Sequence, residues 1–213
     1  MKAILKALLV AISTATFAQT PEERLFEAIE DGKAVVAEGI VAHGQVDVNA
    51  RNKEGETPLH RAIEKAMKEL AAMLAKNARA LVDARSNNGE TALHLAALHE
   101  DPYFADLLLG AKADTNIKND DGESPLMWAV LSGNGETARH LMRRGADLKA
   151  KDLKGNTLLH AAADGGNAEL VQLLLSLGAD PKAKNRYART ASDVARVRDY
   201  PEVVKLLERF ERK

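Results

Sequence analysis

Six histidines are the residues of this chain best suited to hold a metal or move a proton. Three of them, His60, His94 and His160, occupy one place in a recurring motif, while His43, His99 and His140 stand alone. A shared zinc needs imidazole nitrogens about 2 Å from one ion. Equivalent places on neighbouring packed helices lie roughly 8–10 Å apart, so a histidine that recurs along the chain reads as structural. Asp114–Gly122 (DTNIKNDDG) is as oxygen-rich as a calcium loop. With Gly122 at the glycine position, however, Ile117 and Trp128 fall where the first and twelfth ligands must be carboxylates. Gly133–Ala138 (GNGETA) has the glycine spacing of a dinucleotide-binding turn, but it lies between two helical stretches and follows no strand. No nucleophile elbow, phosphate loop or paired-histidine helix motif occurs. The residues point to no enzyme, no cofactor and no metal.

The elements that carry these histidines recur. Thr57, Thr91, Ser124, Thr157 and Thr190 are spaced 34, 33, 33 and 33 residues apart. They open the near-copies KEGETPLHRAI, NNGETALHLAA, DDGESPLMWAV, LKGNTLLHAAA and RYARTASDVAR. Self-similarity at this period is the mark of stacked repeats. In the unit Leu153–Lys184, a short small-sided helix after Thr157 ends at Gly165-Gly166, where positive φ is cheap. Asn167 then caps a second helix, Ala168–Leu177, whose leucines form a broad apolar face, and Gly178 closes it. One such hairpin cannot bury its leucines alone, so the unit must stack on copies of itself.

The Gly-x-Thr-Pro-Leu-His motif, followed by an Ala pair, a Leu-Leu step and Gly-Ala-Asp, resembles the ankyrin repeat. It stands intact at Gly55–His60, and with substitutions at Gly89–His94, Gly122–Met127 and Gly155–His160; Gly-Ala-Asp recurs at Gly145–Asp147 and Gly178–Asp180. The resemblance covers about Thr20 to Lys213. It implies an all-α solenoid of about six helix-turn-helix units, near 20–52, 53–86, 87–119, 120–152, 153–185 and 186–213, with protruding β-turn tips and degenerate end units. Thr20 and Glu23 form a capping-box signature ahead of the first unit. The last helix, about Pro201–Arg212, turns Val203, Val204, Leu206, Leu207 and Phe210 inward. Two units depart from the pattern. Ala66-Met67-Lys68 replaces the mid-unit glycine and one residue is inserted nearby, which predicts a locally longer or irregular helix. Pro102 replaces a glycine as the break between helices in the next unit.

In ankyrin repeats the motif histidine ties the tip loop to its neighbours, and the usual contact surface is the row of tips with the exposed side of each first helix. Carried onto this sequence, the resemblance implies Lys53, Glu54, Glu56 and Lys65, then Asn87, Asn88, Glu90, Leu98 and His99. Asp120, Asp121, Glu123, Leu131 and Ser132 follow, then Leu153, Lys154, Asn156 and Asp164, and last Arg186, Tyr187, Arg189 and Arg198. The middle of this row is acidic and its carboxyl-terminal end basic, which would orient a partner more than tighten it. Trp128, Tyr187, Leu98 and Leu131 are the candidate anchors, with Trp128 equally suited to fill space between first helices. The partner implied is another protein, bound by a monomer.

Composition fits: 46% hydrophobic, 29% charged and only 4% aromatic. Met1–Ala18 stands apart, with Lys2 and Lys6, an apolar run over Ala7–Ile12 and small residues leading to Ala18. This is the order of a secretory signal peptide cut after Ala18, and it is too short for a membrane span. A retained anchor or a plain amphipathic helix are the alternatives. The leader carries two of the 30 basic residues and none of the 31 acids, so the remainder 19–213 holds 28 basic and 31 acidic residues, about −3. That balance disfavours nucleic acid. With no cysteine the stack must hold by packing alone. The expectation is an exported bacterial periplasmic protein, off the membrane once cut. It would serve as an accessory factor for an exported enzyme or as an inhibitor or immunity protein, with a tethered envelope scaffold as the rival.

Overall fold

The computed structural model describes residues 19–77 and 79–212. The expected leader, Met1–Ala18, lies outside these residues.

Twelve helices are found among the described residues, in six pairs. These are α1 (Pro21–Glu30) and α2 (Ala34–Ala42), α3 (Pro58–Glu64) and α4 (Lys68–Ala75), and α5 (Ala92–Ala96) and α6 (Tyr103–Gly110). Then come α7 (Pro125–Leu131) and α8 (Gly135–Arg143), α9 (Leu158–Asp164) and α10 (Ala168–Ser176), and α11 (Ala191–Val197) and α12 (Pro201–Glu211). The odd-numbered helices stack in one row, each on the next, and the even-numbered helices flank them in a second row. Besides an isolated bridge between Lys151 and Thr157, no strand occurs among the described residues.

The rows approach closely because the motif supplies an alanine at the contact. Ala62, Ala96, Ala129, Ala162 and Ala195 are all fully buried, one in each unit from the second to the sixth, and Leu59, Leu93, Leu126 and Leu159 fill the seam beside them. Packing at this density leaves no room for a larger residue at the alanine positions. The second helices add Leu70, Leu74, Leu108, Leu141, Leu170 and Leu174. No buried side-chain nitrogen or oxygen among the described residues lacks a hydrogen-bond partner.

Each first helix opens on its Thr or Ser. The Thr20 hydroxyl accepts from the Glu23 N–H at 3.1 Å while the Glu23 carboxylate accepts from the Thr20 N–H at 2.9 Å, completing the expected capping box. Each first helix ends on a turn that reverses the chain. Gly32, Ala66, Gly133, Gly166 and Asp199 hold this turn in the left-handed region, at φ 70°, 55°, 77°, 68° and 60°.

The second unit therefore differs from its sequence expectation. Helices α3 and α4 are of ordinary length, because Ala66 adopts the left-handed conformation in place of glycine, and the loop after α4 absorbs the inserted residue. Packing of Met67, Leu70 and Leu74 holds this geometry against the local preference of alanine. In the third unit Pro102 ends the inter-helix segment and α6 begins at Tyr103. Helix α12 buries Val203 and Leu207 and packs Val204, Leu206 and Phe210 partly against the core.

Candidate partner-binding face

The tips are built by one device used five times. An Asn, Ser or Asp at the start of each tip donates its N–H to the residue after the tip glycine position, as Asn119 does to the Glu123 carbonyl at 2.9 Å. Successive tips are then joined through the backbone. Asn87 N–H donates to the Glu54 carbonyl, Asp120 to Asn88, Leu153 to Asp121 and Arg186 to Lys154, all at 2.8–2.9 Å. The glycine is forced by this edge-to-edge contact. Gly122 has φ +78°, and a Cβ there would lie 2.9 Å from the Leu153 nitrogen. At the last tip, with no later tip against it among the described residues, Ala188 takes φ 57°.

The motif histidines tie each tip to the helix behind it. The His60 Nδ1 lies 3.2 Å from the Thr57 backbone nitrogen, and its Nε2 lies 3.2 Å from the Glu90 carbonyl oxygen. The backbone N–H can only donate, so Nδ1 accepts and Nε2 carries the proton that reaches the next unit. His94 repeats this with Thr91 and the Glu123 carbonyl, and His160 with Thr157 and the Arg189 carbonyl. Burial pushes the His60 and His94 rings down to about 4 and lowers His160. These rings are neutral spacers with both nitrogens engaged. No group of three or more metal-binding side chains occurs among the described residues. In the fourth unit Met127 fills the slot and makes no such tie, while Ser124 alone caps the helix. In the last unit Asp193 does the capping, its carboxyl held below the usual range first by the Thr190 N–H.

Three lines of side chains run beside these ties. The residue after the tip glycine position gives Glu56, Glu90, Glu123, Asn156 and Arg189. The residue after the histidine slot gives Arg61, Leu95, Trp128, Ala161 and Val194, and the residue three further on gives Glu64, Leu98, Leu131, Asp164 and Val197. All fifteen line one of two grooves. The amino-terminal groove, of about 1180 Å³, runs from Phe26 and Glu30 past Glu54, Glu56 and Glu90 to Leu98 and Trp128. The carboxyl-terminal groove, of about 360 Å³, is lined by Glu123, Leu131, Lys154, Asn156, Tyr187 and Arg189. Trp128 and Glu123 form the divide, joined by the indole N–H donating to the Glu123 carboxylate at 2.7 Å. The Trp128 ring also meets the His94 ring edge-on at 5.4 Å.

Of the residues the sequence marks for a partner, Glu54, Glu56, Glu90, Leu98 and Trp128 thus share one groove. Glu123, Leu131, Lys154, Asn156, Tyr187 and Arg189 share the other. Asp120, Asp121 and Arg186 stand on the tips outside both grooves, with Asp120 held by Arg85 at 2.9 Å. His99 is turned toward the unit before it, its Nε2 2.9 Å from the Ile63 carbonyl and its ring against Phe104 at 4.8 Å. Leu98, Leu131 and Tyr187 remain 49%, 37% and 65% exposed.

The sequence reading missed the first unit's share of the groove, Glu22, Glu23, Phe26 and Glu30, because that unit lacks the motif by which positions were carried over. It also missed Arg61 and Leu95. The signal was available, since one helical turn back from Leu98 lies Leu95, and the same step back from Leu131 finds Trp128. Arg61 sits among Glu30, Glu56 and Glu64, and hydrogen bonding to Glu30 first of all raises its guanidinium pKa.

Profiles for ankyrin repeats in three copies match residues 25–119 and 78–152, and a profile for ankyrin repeats in many copies matches residues 141–195. The chain belongs to the ankyrin-repeat family. Ankyrin repeats mediate protein–protein interaction, and proteins built from them are typically non-catalytic interaction modules. A comparison with curated proteins returns no match. No helix among the described residues is long and apolar enough to cross a membrane.

Proposed function

We propose that this ankyrin-repeat chain is a non-catalytic docking module that binds one partner protein along the tip-and-first-helix face, as a monomer. The single observation that carries this reading is the alignment of three lines of repeat positions on two adjoining grooves with exposed apolar anchors, Leu98 and Leu131, beside the divide. Exposed apolar groups at the centre of a polar rim are where binding energy concentrates. The basic, apolar and small-residue order of Met1–Ala18 supports export and cleavage after Ala18, hence a periplasmic location in a bacterium. There the module would serve as an accessory factor for an exported enzyme or as an inhibitor or immunity protein.

Leu98→Asp and Leu131→Asp test the reading. Both positions are exposed, so folding should survive, while co-purification of the native partner should fall at least tenfold. Full retention of the partner by both variants would remove this face from the account.

A further inference from the structure

The first line of groove positions changes character along the stack, from three glutamates to Asn156 and Arg189. Resting on the docking face just described, we propose that its amino-terminal half receives a cationic, extended segment of the partner, with basic side chains at every third residue set over Glu56, Glu90 and Glu123.

Charge complementarity is the first argument. The Glu90 carboxylate is met by the Ser86 hydroxyl at 3.4 Å and by Asn88, and no Lys or Arg among the described residues pairs with it. Burial first, and the Glu56 and Glu123 charges after it, raise its carboxyl above the ordinary value. The free protein thus holds at Glu90 a half-buried carboxylate without a cation, between Glu56, which Arg61 meets at 3.5 Å, and Glu123. Among the described residues the Glu123 carboxylate accepts only from the neutral Trp128 indole and Asn119 amide, so that a partner's cations would relieve the row. Of the groove's own cations, Lys53 stands on the exposed tip with no ion pair among the described residues, and the two arginines are already engaged. Arg61 is bound chiefly by Glu30 and Glu64 and reaches Glu56 only at 3.5 Å, and Arg51 donates to the carbonyls of Gly55 and Arg85. Beneath the row, Leu95, Leu98 and Trp128 give an apolar floor. A guanidinium laid there would gain both from lowered solvent access and from the aromatic face.

Spacing is the second argument. Neighbouring packed helices set the glutamates about 8–10 Å apart. A polyproline-II segment advances about 3.1 Å per residue with three residues per turn, so residues i, i+3 and i+6 share one side at about 9 Å intervals. An α-helix would need i and i+7 to cover the same step, and a β-strand would turn every third residue away. Arg189 in the row, with Lys154 beside it, repels such a segment from the carboxyl-terminal half, which fixes its position.

The test uses the full chain and three capped synthetic nonapeptides, with binding followed by calorimetry. These are a thrice-repeated Arg-Pro-Pro, a peptide of the same composition with its arginines adjacent, and a thrice-repeated Glu-Pro-Pro. The first should bind at least tenfold tighter than the third and about threefold or more tighter than the second. The double variant Glu56→Gln, Glu90→Gln should lose about tenfold of that affinity with an unchanged urea midpoint, while Tyr187→Ala in the other groove should lose none. Equal binding of the clustered or the acidic peptide, or undiminished binding by the folded double variant, overturns the proposal. A native partner cross-linked at Leu98 through a segment without basic residues would also overturn it, yet leave the docking face standing.

Discussion

The Nε2 of His94 lies 3.1 Å from the carbonyl oxygen of Glu123, one unit further along the chain. The same ring caps its own helix through the Thr91 N–H at 3.0 Å. One side chain therefore closes a local turn and a contact across 29 residues. His94→Ala removes both bonds and opens a cavity at a buried site, and should cost about 2–3 kcal/mol. Urea unfolding followed by circular dichroism would show it as a lowered midpoint. A loss below about 0.5 kcal/mol would mean that the tie carries no stability.

These rings also make stability depend on pH. The folded values of His60 and His94 are depressed to about 4 against an unfolded value of about 6.5. Between those limits the unfolded chain binds more protons, so stability is full above about pH 6.5 and falls as pH drops toward 4. From pH 7 to pH 5 the loss should be about 2 kcal/mol per ring. Urea midpoints at the two pH values check this, and the slope should shrink in His94→Ala.

Ala66 holds φ 55° at the place where Gly133 holds 77°. Ala66→Gly should stabilise the protein by up to about 1 kcal/mol, since the exposed methyl buries nothing and the left-handed strain is relieved. Gly133→Ala should destabilise it by a similar amount. Thermal melts of the two variants should move in opposite directions.

Met127 occupies the histidine slot of the fourth unit, so the joint to the fifth unit lacks the ring-to-carbonyl bond found at its neighbours. Met127→His, by reaching the Asn156 carbonyl, should add about 1 kcal/mol. A fall in the urea midpoint would show that packing of the thioether outweighs the missing bond.

The repeat and its helix pairs could be read from the sequence because a 33-residue period, Thr caps and glycine turns act locally. The placement of Ala66 could not. Alanine disfavours the left-handed turn, and only the packing of Met67, Leu70 and Leu74 against neighbouring units enforces it. The groove was half legible. Glu56, Glu90 and Glu123 follow from the motif register, whereas Phe26 and Glu30 reach the groove through stacking of a unit whose sequence has drifted from the motif. His99 lies at a face position by register, but its ring swings back to Ile63, a choice made by long-range hydrogen bonding.

The docking face itself is tested most directly by photo-cross-linking in living cells. A benzophenone side chain would be placed singly at Leu98 and Leu131 in the grooves, and at the exposed Glu69 and Arg143 on the second-helix row. The account predicts a single discrete adduct from both groove positions and none from the outer pair. An adduct formed from Glu69 or Arg143 alone would contradict it.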